Sequence, residues 1–268
     1  MRNIIITVLS VMLLATAYTA YSQPKPKKSG TLRIMTYNVG TIEKHISDTF
    51  SKADNVALLG KIIRNSQADA VCVQELDSCG RNKYFQLEAL TKAIDENWHF
   101  LFGRAVYYYG GAFGAGMTAA KKPIRSFNIF IPTPEGSEDR NVAVMEFEDY
   151  VVCSTHLNYN QPHQVDIINA EMKRLYGDSS KPVFLGGDMN AQPKSEMMQI
   201  FEQEWTIIST MARTTVQDRM VCIDFILQLN NRAKRVEVVD SQVIHSHIWG
   251  NVNLASDHYP VYVDIKLQ

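Results

Sequence analysis

The chain has 268 residues, 46% of them hydrophobic and 10% aromatic, with 9 prolines, 14 glycines and a net charge of −1. This composition excludes disordered and fibrous proteins and lacks the strong positive balance of a protein that lives on nucleic acid. The length suits one large α/β domain, and no Pro/Ser/Gly-rich linker divides it.

The first segment reads as an address label. Met1–Arg2–Asn3 is a short positive start, Ile4 to Ala17 is almost wholly apolar, and Ala20–Tyr21–Ser22 offers small residues before Gln23. That is the order of a signal peptide over residues 1–22. The apolar run is shorter than the roughly 20 residues that span a bilayer, so the expectation is cleavage, no stable span, and export to the periplasm or the medium. No Cys lies near the cut to carry a lipid anchor. Residues 23–30 (QPKPKKSG) read as a flexible basic tether, and residues 31–268 as the domain.

The domain alternates β-branched runs with helical stretches. Leu32 to Asn38 and Ala70 to Gln74 read as strands, with helices over Asn55 to Asn65 and Tyr84 to Ile94. From Phe100 to Thr155 successive strands are separated by turns at Gly110–Gly111, Lys121–Pro123 and Pro132–Asp139. A helix over Val165 to Tyr176, a strand at Pro182 to Leu185 and a Met-containing helix over Glu196 to Phe201 follow. Strands near Val221–Leu229, Val236–Val239 and Pro260–Leu267 close the chain. Such an order suits mixed sheets packed face to face with helices outside. Cys72, Cys153 and Cys222 sit in apolar runs, where free Cys behaves as a small hydrophobe, so no obligatory disulfide is expected.

Polar residues fall at informative places. Asn38, Glu75 and His156 end apolar strands, Asp188 and Asn190 follow PVFLGG, and Asp257 and His258 precede the last strand. Each alone reads as a turn former, a cap or a satisfied histidine. Asp224 interrupts an apolar run, where a carboxylate is costly unless paired with a cation, a His or a metal. Oxygen ligands such as Asn38, Glu75 and Asp257 suit a hard cation, Mg²⁺ or Mn²⁺, rather than zinc. A carboxylate beside water is a candidate base, and a His–carboxylate pair can hold a charged imidazole against phosphate.

Thr36–Tyr37–Asn38–Val39, Gln74–Glu75, Ser154–Thr155–His156–Leu157, Gly187–Asp188–Met189–Asn190, Ile223–Asp224–Phe225–Ile226 and Ser256–Asp257–His258–Tyr259–Pro260 occur in this order. Together they resemble the endonuclease/exonuclease/phosphatase superfamily, which includes deoxyribonucleases, sphingomyelinases and inositol-polyphosphate phosphatases. The resemblance implies a four-layer α/β/β/α sandwich of two mixed, mainly antiparallel sheets. It implies Glu75 on a divalent ion, with Asn38 and Asp257 as nearby ligands or supporting partners. It further implies Asp188 orienting or deprotonating water, Asn190 and His156 on phosphate oxygens, and His258, steadied by Asp224, at the scissile phosphate. The expected reaction is in-line displacement by water on a phosphate ester, of small or lipid-derived type. A secreted nonspecific nuclease is the alternative, so nucleic acid stays open as a partner, and a silent binding protein is the third reading.

One departure bears on substrate. Digestive nucleases pair the histidine equivalent to His156 with an earlier Glu, but no acid lies between Glu96 and Glu135. That stretch instead carries Arg104, Tyr107, Tyr108, Tyr109, Lys121, Lys122 and Arg125, which reads either as a cationic, aromatic lip or as an edge hairpin guarded by lysines. His245 and His247, one residue apart, are a possible pair of ligands on one strand face or part of a solvated loop.

Overall fold

Alternation along the strands decides the architecture. In the strand β1 (Leu32–Asn38) of the computed structural model, Ile34 faces one core while Met35 and Tyr37 face another. The structure describes residues 23–134, 136–216 and 221–268; the leader expected over 1–22 lies outside them. After β1 come α1 (Lys52–Asn65), β2 (Ala70–Ser78), α2 (Gln86–Ile94), β3 (His99–Tyr108), β4 (Gly111–Ala119), β5 (Arg125–Ile131), β6 (Arg140–Glu146) and β7 (Val151–His156). The second half adds α3 (Pro162–Tyr176), β8 (Val183–Asp188), α4 (Glu196–Glu204), β9 (Trp205–Ile207), β10 (Asp224–Leu229), β11 (Glu237–Val243), the short α5 (Val252–Ala255) and β12 (Val261–Lys266).

One sheet has the order β11-β12-β1-β2-β4-β3, the other β5-β6-β7-β8-β10-β9. Among the described residues, only β1/β2 and β7/β8 pair in parallel. Three hydrophobic cores separate four layers. Leu59, Ile62, Leu87 and Leu90 of α1 and α2 pack on Met35, Val71 and Val73. Ile168, Met172 and Phe201 of α3 and α4 pack on Val144, Cys153 and Leu185. Between the sheets lie Ile34, Cys72, Met117, Met145, Val152, Phe184, Ile226 and Val263. The expected α/β/β/α sandwich is the fold.

Local chemistry fixes the boundaries. A capping box starts α1 three residues earlier than the apolar pattern alone suggests: Ser51 Oγ accepts from Asp54 N, and Asp54 Oδ2 accepts from Ser51 N at 2.8 Å. Pro162 likewise begins α3 ahead of Val165. The β3–β4 turn uses Tyr109 and Gly110, both at positive φ, as a two-residue hairpin requires. Two expectations change. Val221 to Ile223 do not belong to β10, and β2 runs on past Gln74 through a bulge.

The basic segment 23–30 has no helix or strand, yet it is not a free tether. Gln23 bonds Ser246 and Ile248, Lys25 pairs with Asp240 at 2.8 Å, and Lys27 pairs with Asp69 at 2.6 Å. The Lys25 carbonyl also accepts from Arg33, which is fully buried. Sheet-edge acids and an interior guanidinium give this segment partners that its composition does not reveal. All four cysteines are free.

Arg33 meets Asp264 in a bidentate pair of 2.6 and 2.7 Å with no solvent on either side chain to speak of, and its guanidinium stacks over Tyr262. Asp264→Leu leaves that cation buried and unpaired. The expected loss is about 3–5 kcal/mol of unfolding free energy in a urea titration; a loss below about 1 kcal/mol would show that Arg33 finds other compensation.

Candidate active site

Strand parity gathers the site. Asn38 follows Ile34 and Thr36 on the inter-sheet face of β1; His156 follows Val152 and Ser154 on β7; Asp188 follows Phe184 and Gly186 on β8. All three stand at the C-terminal ends of their strands. Strand β10 runs antiparallel to β8, so Asp224 at its start lies directly beside Asp188, with His156 on the other side. Glu75 breaks parity. It has φ +56 at the bulge between Val73 and Leu76, a left-handed backbone that reaims its side chain among these residues. Asp257 and His258 arrive on the segment between α5 and β12.

The sheets come close beneath this row because the side chains there are small. A Cβ on Gly186 would lie 2.7 Å from Cys72 Sγ of the opposite sheet. Thr36 donates to Gln74 at 3.2 Å, and Gln74 donates to Ser154 at 3.3 Å, which makes a polar floor under the site.

His258 is held between two carboxylates. Its Nδ1 lies 2.9 Å from Asp224 Oδ2, and its Nε2 lies 3.7 Å from Asp188 Oδ2. Burial alone would depress this imidazole, but Asp224, then Asp188 and Asp257, push it up to about 10. Burial, reinforced by Asp224, raises the Asp188 carboxyl to about 7, against the opposing pull of His258, Asn190 N and Asn38. His156 differs. Burial, with Arg140 and His258 nearby, holds its imidazole well below the ordinary value, so the ring is neutral. Asn38 Nδ2 donates to both Glu75 Oε1 and Asp188 Oδ2 at 3.0 Å, while its Oδ1 accepts from Gly40 N. Asn190 Nδ2 donates to Leu157 O at 2.8 Å and lies 3.0 Å from His156 Nε2. With Nε2 accepting there, the ring proton sits on Nδ1, which has no partner.

A sequence pattern described as the Endonuclease/Exonuclease/phosphatase family matches residues 35–258. The chain belongs to this family. Its members hydrolyse phosphoester bonds. Among similar solved structures is a family member from Bacteroides vulgatus, with TM-score 0.67, 18% identity, and coverage of 89% of this chain and 99% of that one. The human Nocturnin catalytic domain gives 0.67, 16%, 90% and 95%. A mannosyl-6-phosphatase of Bacteroides thetaiotaomicron gives 0.61, 15%, 87% and 99%. At these identities the likeness establishes the fold alone, and none of the curated proteins matches this sequence.

Glu75, Asp188, Asn190, Asp257 and His258 line one cavity of about 340 Å³. Asn38 and Asp224 bond to its walls from behind, and His156 is reached through Asn190. Two residues of the site escaped the sequence reading. Arg140 opens β6 beside the end of β7, where it bonds Asn158 at 2.7 Å and senses the charges of Glu75 and Asp188. Lys44 lies on Gly40 and pairs with Asp257 Oδ2 at 2.8 Å. Polarity at strand ends was the available signal, but antiparallel strands bring their beginnings to the same edge.

The supposed lip divides in two. Tyr107 to Tyr109 cap the site end of the β3–β4 hairpin, with Arg104 stacked 4.0 Å over Tyr107. Lys121, Lys122 and Arg125 follow the opposite end of β4, about 26 Å away along the strand. His245 and His247 differ in setting, on a loop that exposes Ile248 and Trp249. His245 Nε2 lies 2.8 Å from Arg213 O, and His247 is buried and accepts from Trp249 N.

Two residue sets could hold a cation. Atoms of Asp188, Asp224 and His258 lie within 4.8 Å of one another. There, however, the two carboxylates already flank both ring nitrogens of His258, which suits a proton better than an ion. Glu75 and Asp257 present carboxylate oxygens to the same cavity, the donor chemistry of a hard divalent ion.

In the metal-free protein, Asp224→Asn should let burial dominate and drop His258 below its ordinary 6.5, whereas the wild-type ring stays charged to about 10. NMR titration of the imidazole checks this. The sign follows from a raised folded value. The proton's contribution to stability is complete below about 6.5 and is lost as pH climbs through about 10.

Proposed function

We propose that this chain is a Mg²⁺- or Mn²⁺-dependent hydrolase that cleaves a phosphoester of small or lipid-derived type by direct attack of water. The observation that carries the reading is His258, held at 2.9 Å by Asp224 and set 3.7 Å from the buried Asp188 carboxyl, which burial pushes up to about 7. A base poised near the working pH is the efficient one.

In this reading, Asp188 accepts the proton as the water oxygen forms its bond to phosphorus. His258 offers Nε2–H to a phosphoryl oxygen, and Arg140 adds a second fixed cation close by. Asn38 holds Glu75 and Asp188 at one spacing through its amide nitrogen. Asn190 ties the site to neutral His156 and, through Asp188 Oδ1, fixes the carboxyl rotamer. Glu75 and Asp257 would hold the ion, which when bound would neutralise the leaving oxygen. The residues fit such an ion. Four carboxylates (Glu75, Asp188, Asp224 and Asp257) converge, and one of them already draws Lys44 as a counter-charge. The P–O ester bond then breaks with no covalent enzyme intermediate.

A nuclease is the second reading, favoured by the Arg104–Tyr107 stack beside the site. Plasmid nicking compared with turnover of bis-p-nitrophenyl phosphate separates the two. Asp188→Asn and His258→Ala should each lower kcat/KM on that ester by about 10²–10⁴ with unchanged circular dichroism. Full activity in both variants would sink the assignment. Chelation with EDTA should abolish turnover, and Mg²⁺ or Mn²⁺ should restore it.

A further inference from the structure

Beside the catalytic cavity opens a larger one of about 680 Å³, within the range of small-molecule sites. The two adjoin, since Asn190 and Ile223 line both. Its walls come from three connections, not from the sheets. Tyr159 lies between β7 and α3, Ala191 follows β8, Met197 is in the first turn of α4, and Val221 and Ile223 precede β10. Tyr159 is 80% exposed, an aromatic ring standing over an apolar floor. Among the described lining residues the one charged group is Glu196, and no Lys or Arg is present.

We propose that this second cavity is the subsite for an uncharged, apolar substituent of the phosphoester, whether alkyl, acyl or aryl. The proposal rests on the hydrolytic reading above and adds to it the side of phosphorus on which the apolar group lies. The catalytic cavity is lined by the charged and polar groups of Lys44, His45, Glu75, Asp188, Asp257 and His258, so an apolar part of a substrate is better placed outside it. On the other side of Asn190 and Ile223 lies the larger cavity, where Tyr159, Ala191, Met197, Val221 and Ile223 supply apolar surface. A nucleic-acid strand entering there would meet Glu196 and, among the described lining residues, no Lys or Arg.

A series of n-alkyl p-nitrophenyl phosphates from methyl to octyl keeps the leaving group constant and varies only the substituent. In the wild type, kcat/KM should rise roughly three- to fourfold for each methylene until the cavity is filled. Phenyl p-nitrophenyl phosphate, in place of the alkyl series, tells whether flat aryl groups are preferred to chains. Tyr159→Ala should flatten the alkyl series while leaving methyl ester turnover unchanged. The p-nitrophenyl ester of thymidine 5′-phosphate should lose about tenfold when a 3′-phosphate is added, and Glu196→Lys should erase that loss. A flat alkyl series in an enzyme that turns over the methyl ester, or a preference for the 3′-phosphorylated nucleotide, overturns the subsite and leaves the hydrolytic reading standing. If no ester is turned over, the hydrolytic reading falls. The subsite is then decided by calorimetry of octylphosphonate against methylphosphonate: tighter octyl binding lost in Tyr159→Ala supports it, and equal affinities overturn it.

Discussion

The contact on which the site depends is His258 between Asp224 and Asp188, all three almost fully buried. Two carboxylates this close cannot both be charged in a low-dielectric interior without a cation between them. The imidazolium supplies it and is itself kept charged by the acids. The three groups therefore form one titrating unit, and a change in any one alters the proton affinity of the other two. That unit needs β8 and β10 in register, because Asp188 and Asp224 are direct cross-strand neighbours.

Register alone would not bring the two sheets' residues together. The gap between them is set by Gly186 against Cys72 and by the Thr36–Gln74–Ser154 floor. Asn141 adds a clamp, its amide donating to and accepting from Ala115 of the opposite sheet at 3.1 and 3.0 Å. Within that frame, several residues at the mouth have non-ideal backbone. Glu75 and Asn190 have positive φ, and Gly40, Thr41 and Ile42 do so in succession. A left-handed β-branched residue costs on the order of 1–2 kcal/mol. Such residues persist where neighbours hold them, and here the Gly40–Ile42 turn carries the loop from Asn38 to Lys44 across the cavity.

The family, the layers and the residues gathered at the cavity were legible because each motif is local and its parity is countable. Asn38, His156 and Asp188 each lie two residues beyond a buried inter-sheet position, and that pattern is visible in the letters. Glu75 was found by its motif, although parity would place it on the helix face; the bulge that corrects this has no letter of its own. Arg140 and Lys44 were missed for different reasons. Arg140 acts from the start of a strand, and Lys44 acts across a left-handed turn that sequence patterning does not encode. Of the two readings open for the Arg104–Arg125 stretch, a single lip fails because a full strand separates Lys121–Arg125 from the tyrosines, whereas an edge hairpin fits β3, the last strand of its sheet. The apolar cavity was invisible for the opposite reason, since its walls are gathered from three distant connections.

The two buried ionic centres of the molecule show how differently the same chemistry can be used. Arg33 and Asp264 satisfy each other in bidentate fashion, with Ser66 O and Lys25 O taking further donors. Four of the five guanidinium N–H groups are bonded within the protein, and the pair ties β1 to β12. Around His258 the bonding is incomplete. Asp224 Oδ1 and His156 Nδ1 are buried without partners, and Asp188 meets both histidines only at 3.7 Å. Unsatisfied groups of this kind cost stability, typically 1–3 kcal/mol each. The Arg33 centre is bonded from several sides, whereas the bonding around His258 is left short directly behind the cavity that Asp188 and His258 line.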